Sequence, residues 1–322
     1  MDRRTLLTAA GALATPRIAR AQAGYPDRPI RLIAPFPPGG GTDMISREIG
    51  TRVAAATGWT VVVENRPGAG GNIGLDAVAK AAPDGYTIGM GQTANLAINP
   101  ALYRSMPYEV LRDFTPIGLV AQQPNIIVVA RQSSVRNLPD LFAAARARPG
   151  QLSAGHPGNG TVGHLSGEVL NRQAGVQIVQ VPYRGAGNVV TDLLAGRLDV
   201  YSANPLSVKG VLEAGDVRAI AVTSAARARA FPDVPTVAEQ GFPGFEAINW
   251  TGLVAPAGLP EAILARWSGE MRRTLSGPEI AARLAAEGSE PVGSTPAEFH
   301  AKLATEITKW GQIVREGQVR ID

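Results

Sequence analysis

Nine residues, Pro35-Phe36-Pro37-Pro38-Gly39-Gly40-Gly41-Thr42-Asp43, form the segment best suited to chemistry on a small anion. Three glycines let the backbone turn sharply and come close to a ligand, because no Cβ intervenes. Thr42 or Asp43 is placed to cap a following helix, whose free N–H groups and dipole favour negative charge. Nothing in the loop is a nucleophile or a metal cluster, so the chemistry it offers is holding a carboxylate or phosphate. A plain structural turn between strand and helix is the alternative for a glycine loop taken alone.

Two more junctions have the same make-up. Gly155-His156-Pro157-Gly158-Asn159-Gly160-Thr161 follows a short strand, and Tyr183-Arg184-Gly185-Ala186-Gly187 follows another. Three helix starts at strand carboxyl ends would line the usual crevice of an open α/β sheet. His164, one turn into the helix after the second loop, reaches the cleft or packs beside Leu165. Arg184 is a bidentate partner for a distal carboxylate or a structural turn residue. Asn95, Asn204 and Trp250 set specificity, or satisfy buried backbone and fill the core. His156 is a rim donor with a pH-sensitive charge or an exposed loop residue without a ligand role, and His300 is a surface residue. Gly89-Met90-Gly91-Gln92-Thr93-Ala94 has the outline of a dinucleotide fingerprint, but it follows the third strand and lacks the acidic partner. The three histidines are scattered and there is no cysteine, so no zinc pattern, disulfide or Gly-x-Ser-x-Gly elbow is present.

The elements that must position these loops alternate between strand and helix, which argues an α/β architecture. Strands are expected at 30–34, 60–64, 87–90, 117–121, 126–130, 177–181, 199–202, 218–222 and 251–255. Helices are expected at 43–57, 161–174, 188–195 and 296–314. The first places Ile45, Ile49, Val53 and Ala56 on one face and stops at Gly58. The second places Val162, Leu165, Val169 and Leu170 inward. The last carries Phe299, Leu303, Ile307, Trp310 and Val314 on one stripe.

Residues 1–23 read as an export signal. Arg3-Arg4-Thr5-Leu6-Leu7 fits a twin-arginine signal, with an ordinary secretory signal as the alternative, and Ala21-Gln22-Ala23 suits cleavage near Ala23. Its removal lowers Lys+Arg from 31 to 27 and Asp+Glu from 27 to 26, so the net charge falls from +4 to about +1. The basic balance therefore belongs largely to the signal, and no nucleic-acid partner is expected. No apolar run is long enough to span a bilayer.

Eight segments in order carry a resemblance. They are Ile33 to Asp43, Glu64 to Gly74, Pro83 to Thr87, Gly158 to Thr161, Val181 to Gly185, Leu194 to Asp199, Pro232 to Glu239 and Trp250 to Gly258. Together they resemble the extracytoplasmic solute receptors of tripartite tricarboxylate transporters, the Bug family, over nearly the whole chain after residue 23. The resemblance implies a two-lobe periplasmic-binding-protein fold of the Venus-flytrap type II class, with a ligand cleft between α/β lobes. It implies a non-enzymatic periplasmic receptor, without cofactor, metal or catalytic residue. Such a receptor captures a small carboxylate and delivers it to the transporter's membrane permease subunits. The chain is read as a monomer. Lobe 1 is expected to hold 24–122 and 247–322, and lobe 2 to hold 123–246. Carried across the matching motifs, Gly39, Gly40, Gly41 and Thr42 would face the ligand from one lobe, and Asn159, Gly160 and Thr161 from the other. Phe36, Asp43, Gly158, His164, Arg184, Gly185 and Asn204 complete the candidate ligand-binding residues. An exported α/β enzyme acting on the same anion, or a ligand-presenting partner of a sensor, is the alternative.

Overall fold

The computed structural model describes residues 24–183, 185–286, 288–317 and 319. The export signal therefore lies outside the described residues. The chain up to residue 124 supplies β1 (Ile30–Ala34), α1 (Gly41–Thr57), β2 (Val61–Asn65), α2 (Asn72–Ala79), β3 (Thr87–Gln92), α3 (Asn99–Leu102), α4 (Val110–Asp113) and β4 (Phe114–Pro124). Next come β5 (Ile126–Ala130), α5 (Leu138–Ala147), β6 (Ser153–His156), α6 (Val162–Ala174), β7 (Val179–Pro182), α7 (Ala186–Leu194), β8 (Val200–Ala203), α8 (Pro205–Glu213) and β9 (Val217–Val222). The remainder adds β10 (Ile248–Pro256), α9 (Glu261–Leu275), α10 (Pro278–Ala286), β11 (Glu290–Pro291) and α11 (Pro296–Glu316).

These strands build two sheets, ordered β11-β4-β10-β3-β1-β2 and β7-β6-β8-β5-β9. In the first, β1 runs parallel to β2 and β3, and β10 lies antiparallel between β3 and β4. In the second, β6 runs parallel to β7 and β8, and β5 lies antiparallel between β8 and β9. Read side by side, β2-β1-β3-β10-β4 and β7-β6-β8-β5-β9 are the same arrangement. This is the two-lobe type II build, with α/β layers in both lobes. In each sheet the strand order reverses at β1 or β6, the strand next to the β2 or β7 edge, which is where open α/β sheets bind ligands.

β1 is largely apolar because both of its faces are covered. Ile30 and Leu32 join the core beneath α1 and α9, with Ile45, Ile49, Trp267 and Met271. Ile33 points the other way, into the core with Leu75 of α2 and Leu303 of α11. Gly58 ends α1 at φ 74, donating its N–H to the Ala54 carbonyl, a left-handed turn that glycine adopts freely. Ala56, expected on the buried face, sits in the last turn and is exposed. On α11, Phe299, Leu303, Trp310 and Val314 are buried, while Ile307 is half-buried. Glu306 is also buried, and its Oε2 accepts from both the Trp250 and Trp310 indoles at 2.9 and 3.0 Å.

The chain crosses between the sheets twice. Asn125 alone joins β4 to β5, and residues 223–247 join β9 to β10. The crossings are tied together. Asn125 donates its N–H to the Thr223 hydroxyl at 2.7 Å, and that hydroxyl donates to the Ala247 carbonyl at 2.6 Å. Asn249 Nδ2 donates to Asn125 Oδ1 at 2.5 Å. Further out, Arg172 of α6 pairs with Glu316 of α11 at 2.8 Å, and Lys209 of α8 donates to the Ala286 carbonyl.

Candidate functional site

The first loop leaves β1 at Ala34 and enters α1 at Gly41. Gly39 takes φ 82, the left-handed region, whereas Gly40 is extended at φ −80. Neither Thr42 nor Asp43 is the cap that the sequence suggests. The helix starts two residues earlier than expected, and Gly40 occupies the N-cap position without a side-chain bond. Its first intrahelical bond is Met44 N–H to the Gly40 carbonyl, so the N–H groups of Gly41, Thr42 and Asp43 have no partner within the helix. Gly39 and Gly40 are exposed and Gly41 half-buried.

The buried side chains hold this loop in shape. Asp43 is 3% exposed, and its carboxylate accepts from Gly39 N–H at 2.9 Å, Asn65 Nδ2 at 2.8 Å and Arg47 Nε at 3.1 Å. Asn65 Nδ2 also donates to the Phe36 carbonyl. Burial pushes the Asp43 carboxyl up, but the bonds from Arg47, Gly39 and Asn65 outweigh it and hold it below its ordinary 3.8. A depressed native value stabilises the fold above the unfolded value, and that contribution is lost as pH falls through the lower native one. Asp43→Ala is therefore expected to cost about 2 kcal/mol at neutral pH, the range for hydrogen bonds to a charged group. Urea unfolding should show the gap to the parent protein closing below the ordinary carboxylate range. A gap that stays constant down to acid pH would exclude a charged anchor.

Thr42 donates its hydroxyl to Gln92 Oε1 at 2.9 Å. Gln92 N–H in turn donates to Asn95 Oδ1, and the buried Asn95 Nδ2 has no partner. A Cβ built on Gly71 would lie 2.5 Å from Asn95 Nδ2 and 3.0 Å from Phe36 Cζ, so Phe36, Gly71 and Asn95 pack as one unit. Asn65 and Gln92 were not candidates from the sequence. Asn65 had a signal, since it lies in the Glu64–Gly74 segment; Gln92 had none.

The second loop leaves β6 at His156, the strand equivalent to β1, and enters α6 after Thr161. Thr161 is the N-cap and its hydroxyl accepts from His164 N–H. The same hydroxyl donates to the Gly158 carbonyl at 2.8 Å. Gly160 takes φ 76 and is buried, while Asn159 is exposed. His156 is not an exposed loop residue: it is 1% exposed, because it ends β6, paired on both sides by β7 and β8, and stacks on His164 with ring centroids 4.3 Å apart.

The third junction lies against the second loop. Tyr183 N–H donates to the His156 carbonyl at 2.9 Å, and Gly185 N–H to the Pro157 carbonyl at 3.2 Å. Gly185 is exposed, at φ 102, and is the N-cap of α7. Arg184 lies outside the described residues. Asn204 follows β8, the neighbour of β6, and caps α8 by accepting from Leu206 N–H at 3.0 Å. The expected residues thus form two groups. Phe36 and Gly39 to Asp43 belong to one lobe; Gly158 to Thr161, His164, Gly185 and Asn204 belong to the other.

The glycine run in β3 leads into a π-helical turn at Ala94–Ile98, not into a helix able to seat a pyrophosphate. No helix among the described residues is long and apolar enough to cross a membrane.

The family model described as tripartite tricarboxylate transporter family receptor matches residues 45–319. The chain is 38% identical to Protein BugT of Bordetella pertussis over 91% of this chain and 90% of that protein. A structure described as from R. palustris with adipate superposes with a TM-score of 0.83 at 36% identity, covering 92% of this chain and 99% of that one. MatC from Rhodopseudomonas palustris with bound malate gives 0.78 at 31% identity, covering 90% and 100%.

Proposed function

We infer the function from one premise: the chain belongs to the tripartite tricarboxylate transporter receptor family. It is a solute-binding receptor, and its proposed solute is a small carboxylate held between loop 36–43 and loop 158–161. One observation carries this reading, the matched placement of the two loops. Each follows the equivalent strand of its sheet, β1 or β6, where the strand order reverses; each contains a glycine at positive φ, and each opens a helix of more than ten residues. Helix-start N–H groups and the helix dipole then meet the carboxylate from both sides. Neither loop contains Lys or Arg, so backbone amides rather than Lys or Arg side chains of the loops face the charge. That adipate and malate, both dicarboxylates, sit in similar proteins supports the same class of ligand here.

In this reading lobe 1 is 24–122 with 247–322, lobe 2 is 123–246, and the lobes close about the Asn125 and 223–247 crossings. The protein holds its ligand without transforming it. The Thr42 hydroxyl proton goes to Gln92 and the Thr161 proton to the Gly158 carbonyl, so no base activates either oxygen as a nucleophile. Residues 1–23 act as an export leader cleaved near Ala23, which puts the receptor in the periplasm. There, as a monomer, it passes the carboxylate to the permease subunits.

A melting screen against mono-, di- and tricarboxylates, amino acids and aromatic acids tests this. A matched acid at about 100 times its Kd stabilises the folded state by about 2.7 kcal/mol and raises the melting temperature, and it is recovered unchanged. A flat response to every acid, or conversion of the acid that binds, would overturn the assignment.

A further inference from the structure

The amide of Gly160 is already occupied in the second loop. It donates to His164 Nδ1 at 3.2 Å. A backbone N–H can only donate, so Nδ1 carries the lone pair and His164 is neutral with its proton on Nε2. The neighbouring ring has the opposite tautomer. His156 Nδ1 lies 2.9 Å from the Gly158 carbonyl, which can only accept, so Nδ1 holds the proton. The buried Nε2 of His156 has no partner. The two rings stack at an interplanar angle of 19°, locking both in place beneath the loop.

We propose that His164 gates the Gly160 amide, releasing it to a bound anion as the imidazole takes up a proton. The inference rests on loop 158–161 being the anion cradle. Protonation at Nδ1 replaces an acceptor with a donor, which breaks the bond from Gly160 and leaves two N–H groups for the anion. The proton comes from solvent and remains on the ring while the anion is bound.

The surroundings suit such a two-state ring. On α6, Glu168 Oε1 lies 3.8 Å from His164 Nε2, ready to face an imidazolium. Arg172, one turn further on, is paired with Glu316 of α11. From β6 the facing group is His156. The strands β7 and β8 present no ionisable side chain except Tyr201, whose hydroxyl meets Ser207. Tyr183, beside His156, turns its hydroxyl to Asp192. Burial, with His156 alongside, pushes His164 down to about 4, and burial also lowers His156. Burial raises the Glu168 carboxyl. The ring is therefore neutral in the free protein at neutral pH and charges only when an anion lies beside it. A group whose affinity for protons rises on binding draws in a proton, so anion affinity increases as pH falls.

Two measurements decide it. In the ligand-free protein, nitrogen-resolved NMR should show the Gly160 amide moving together with the His164 ring as the ring titrates near 4. A Gly160 amide that ignores that titration overturns the gate, whatever binds. Calorimetry with adipate as probe, in buffers of different ionisation heat free of carboxylate and phosphate, should show proton uptake that is largest between the free ring's titration near 4 and about pH 6 and that fades by about pH 8. His164→Asn, whose Oδ1 stands where Nδ1 accepts from Gly160, should bind adipate with no proton uptake and little pH dependence. Uptake that persists in His164→Asn, or its absence in the parent protein, overturns the proposal. If adipate fails to bind, the carboxylate reading is what suffers, and the NMR result still settles the gate.

Discussion

Gly160→Val is expected to weaken anion binding by about 100-fold or more, the loss of roughly 3 kcal/mol of hydrogen bonding to charge. At φ 76 the position lies in the left-handed region, which a β-branched residue strongly resists. Valine therefore forces the loop to change its turn, moving the amide of residue 160 and the Thr161 cap together. It also places a side chain where a carboxylate would approach. The fold should tolerate it, because the strain of about 1–2 kcal/mol is confined to one residue of one loop. Gly40→Val is an informative companion. Gly40 is not in the left-handed region, and a Cβ there would meet only the Pro37 carbonyl, at 3.6 Å. Any loss of affinity at Gly40 then reports steric exclusion of the ligand rather than backbone strain. Titration calorimetry alongside melting curves reads both effects. Affinity within tenfold of the parent in both variants would move the ligand away from these loops.

Glu306→Leu should cost about 3 kcal/mol of stability, because two buried indole N–H groups lose their acceptor at about 1–3 kcal/mol each and added apolar burial offsets part of the loss. The carboxylate lies between β10 and α11, taking Trp250 Nε1 on one side and Trp310 Nε1 on the other. Lys309 Nζ stands 3.7 Å from its other oxygen. Glu306→Gln keeps an oxygen in the same place and should cost about 1 kcal/mol, as for replacing a charge-assisted hydrogen bond by a neutral one. Urea denaturation of the two variants separates acceptor from charge. Equal losses would mean that the charge, not the shared acceptor, anchors α11.

The sequence shows the alternation of elements and the three glycine junctions clearly, because apolar runs and glycines are local signals. It cuts strands short where polarity changes. Phe114–Pro124 extends beyond Ala121 because Gln122 and Gln123 still pair with Trp250 and Asn249 across the sheet. Likewise, Gly91-Gln92 continue β3 opposite Gly252 and Thr251. The equivalence of the two sheets cannot be read from spacing, since it depends on β10 and β5 each being laid antiparallel into a set of parallel strands. The imidazole stack is hidden for the same reason. His156 and His164 meet because α6 folds back over β6, and a residue at the end of a short strand looks like a loop residue until that return is known. Glu306 falls between the apolar positions of the α11 stripe, and only the two indoles explain why a carboxylate is buried there.

The two sheets also differ in when they can be completed during synthesis. All five strands of the second lie in one stretch, β5 to β9, so residues 126–222 contain everything that sheet needs. The first sheet lacks its fourth neighbour until β10 has been made, and its edge until β11 has. β3 and β4 therefore lack the strand that joins them for more than a hundred residues of chain growth. The N-terminal strands are made first, but their sheet is the last to close.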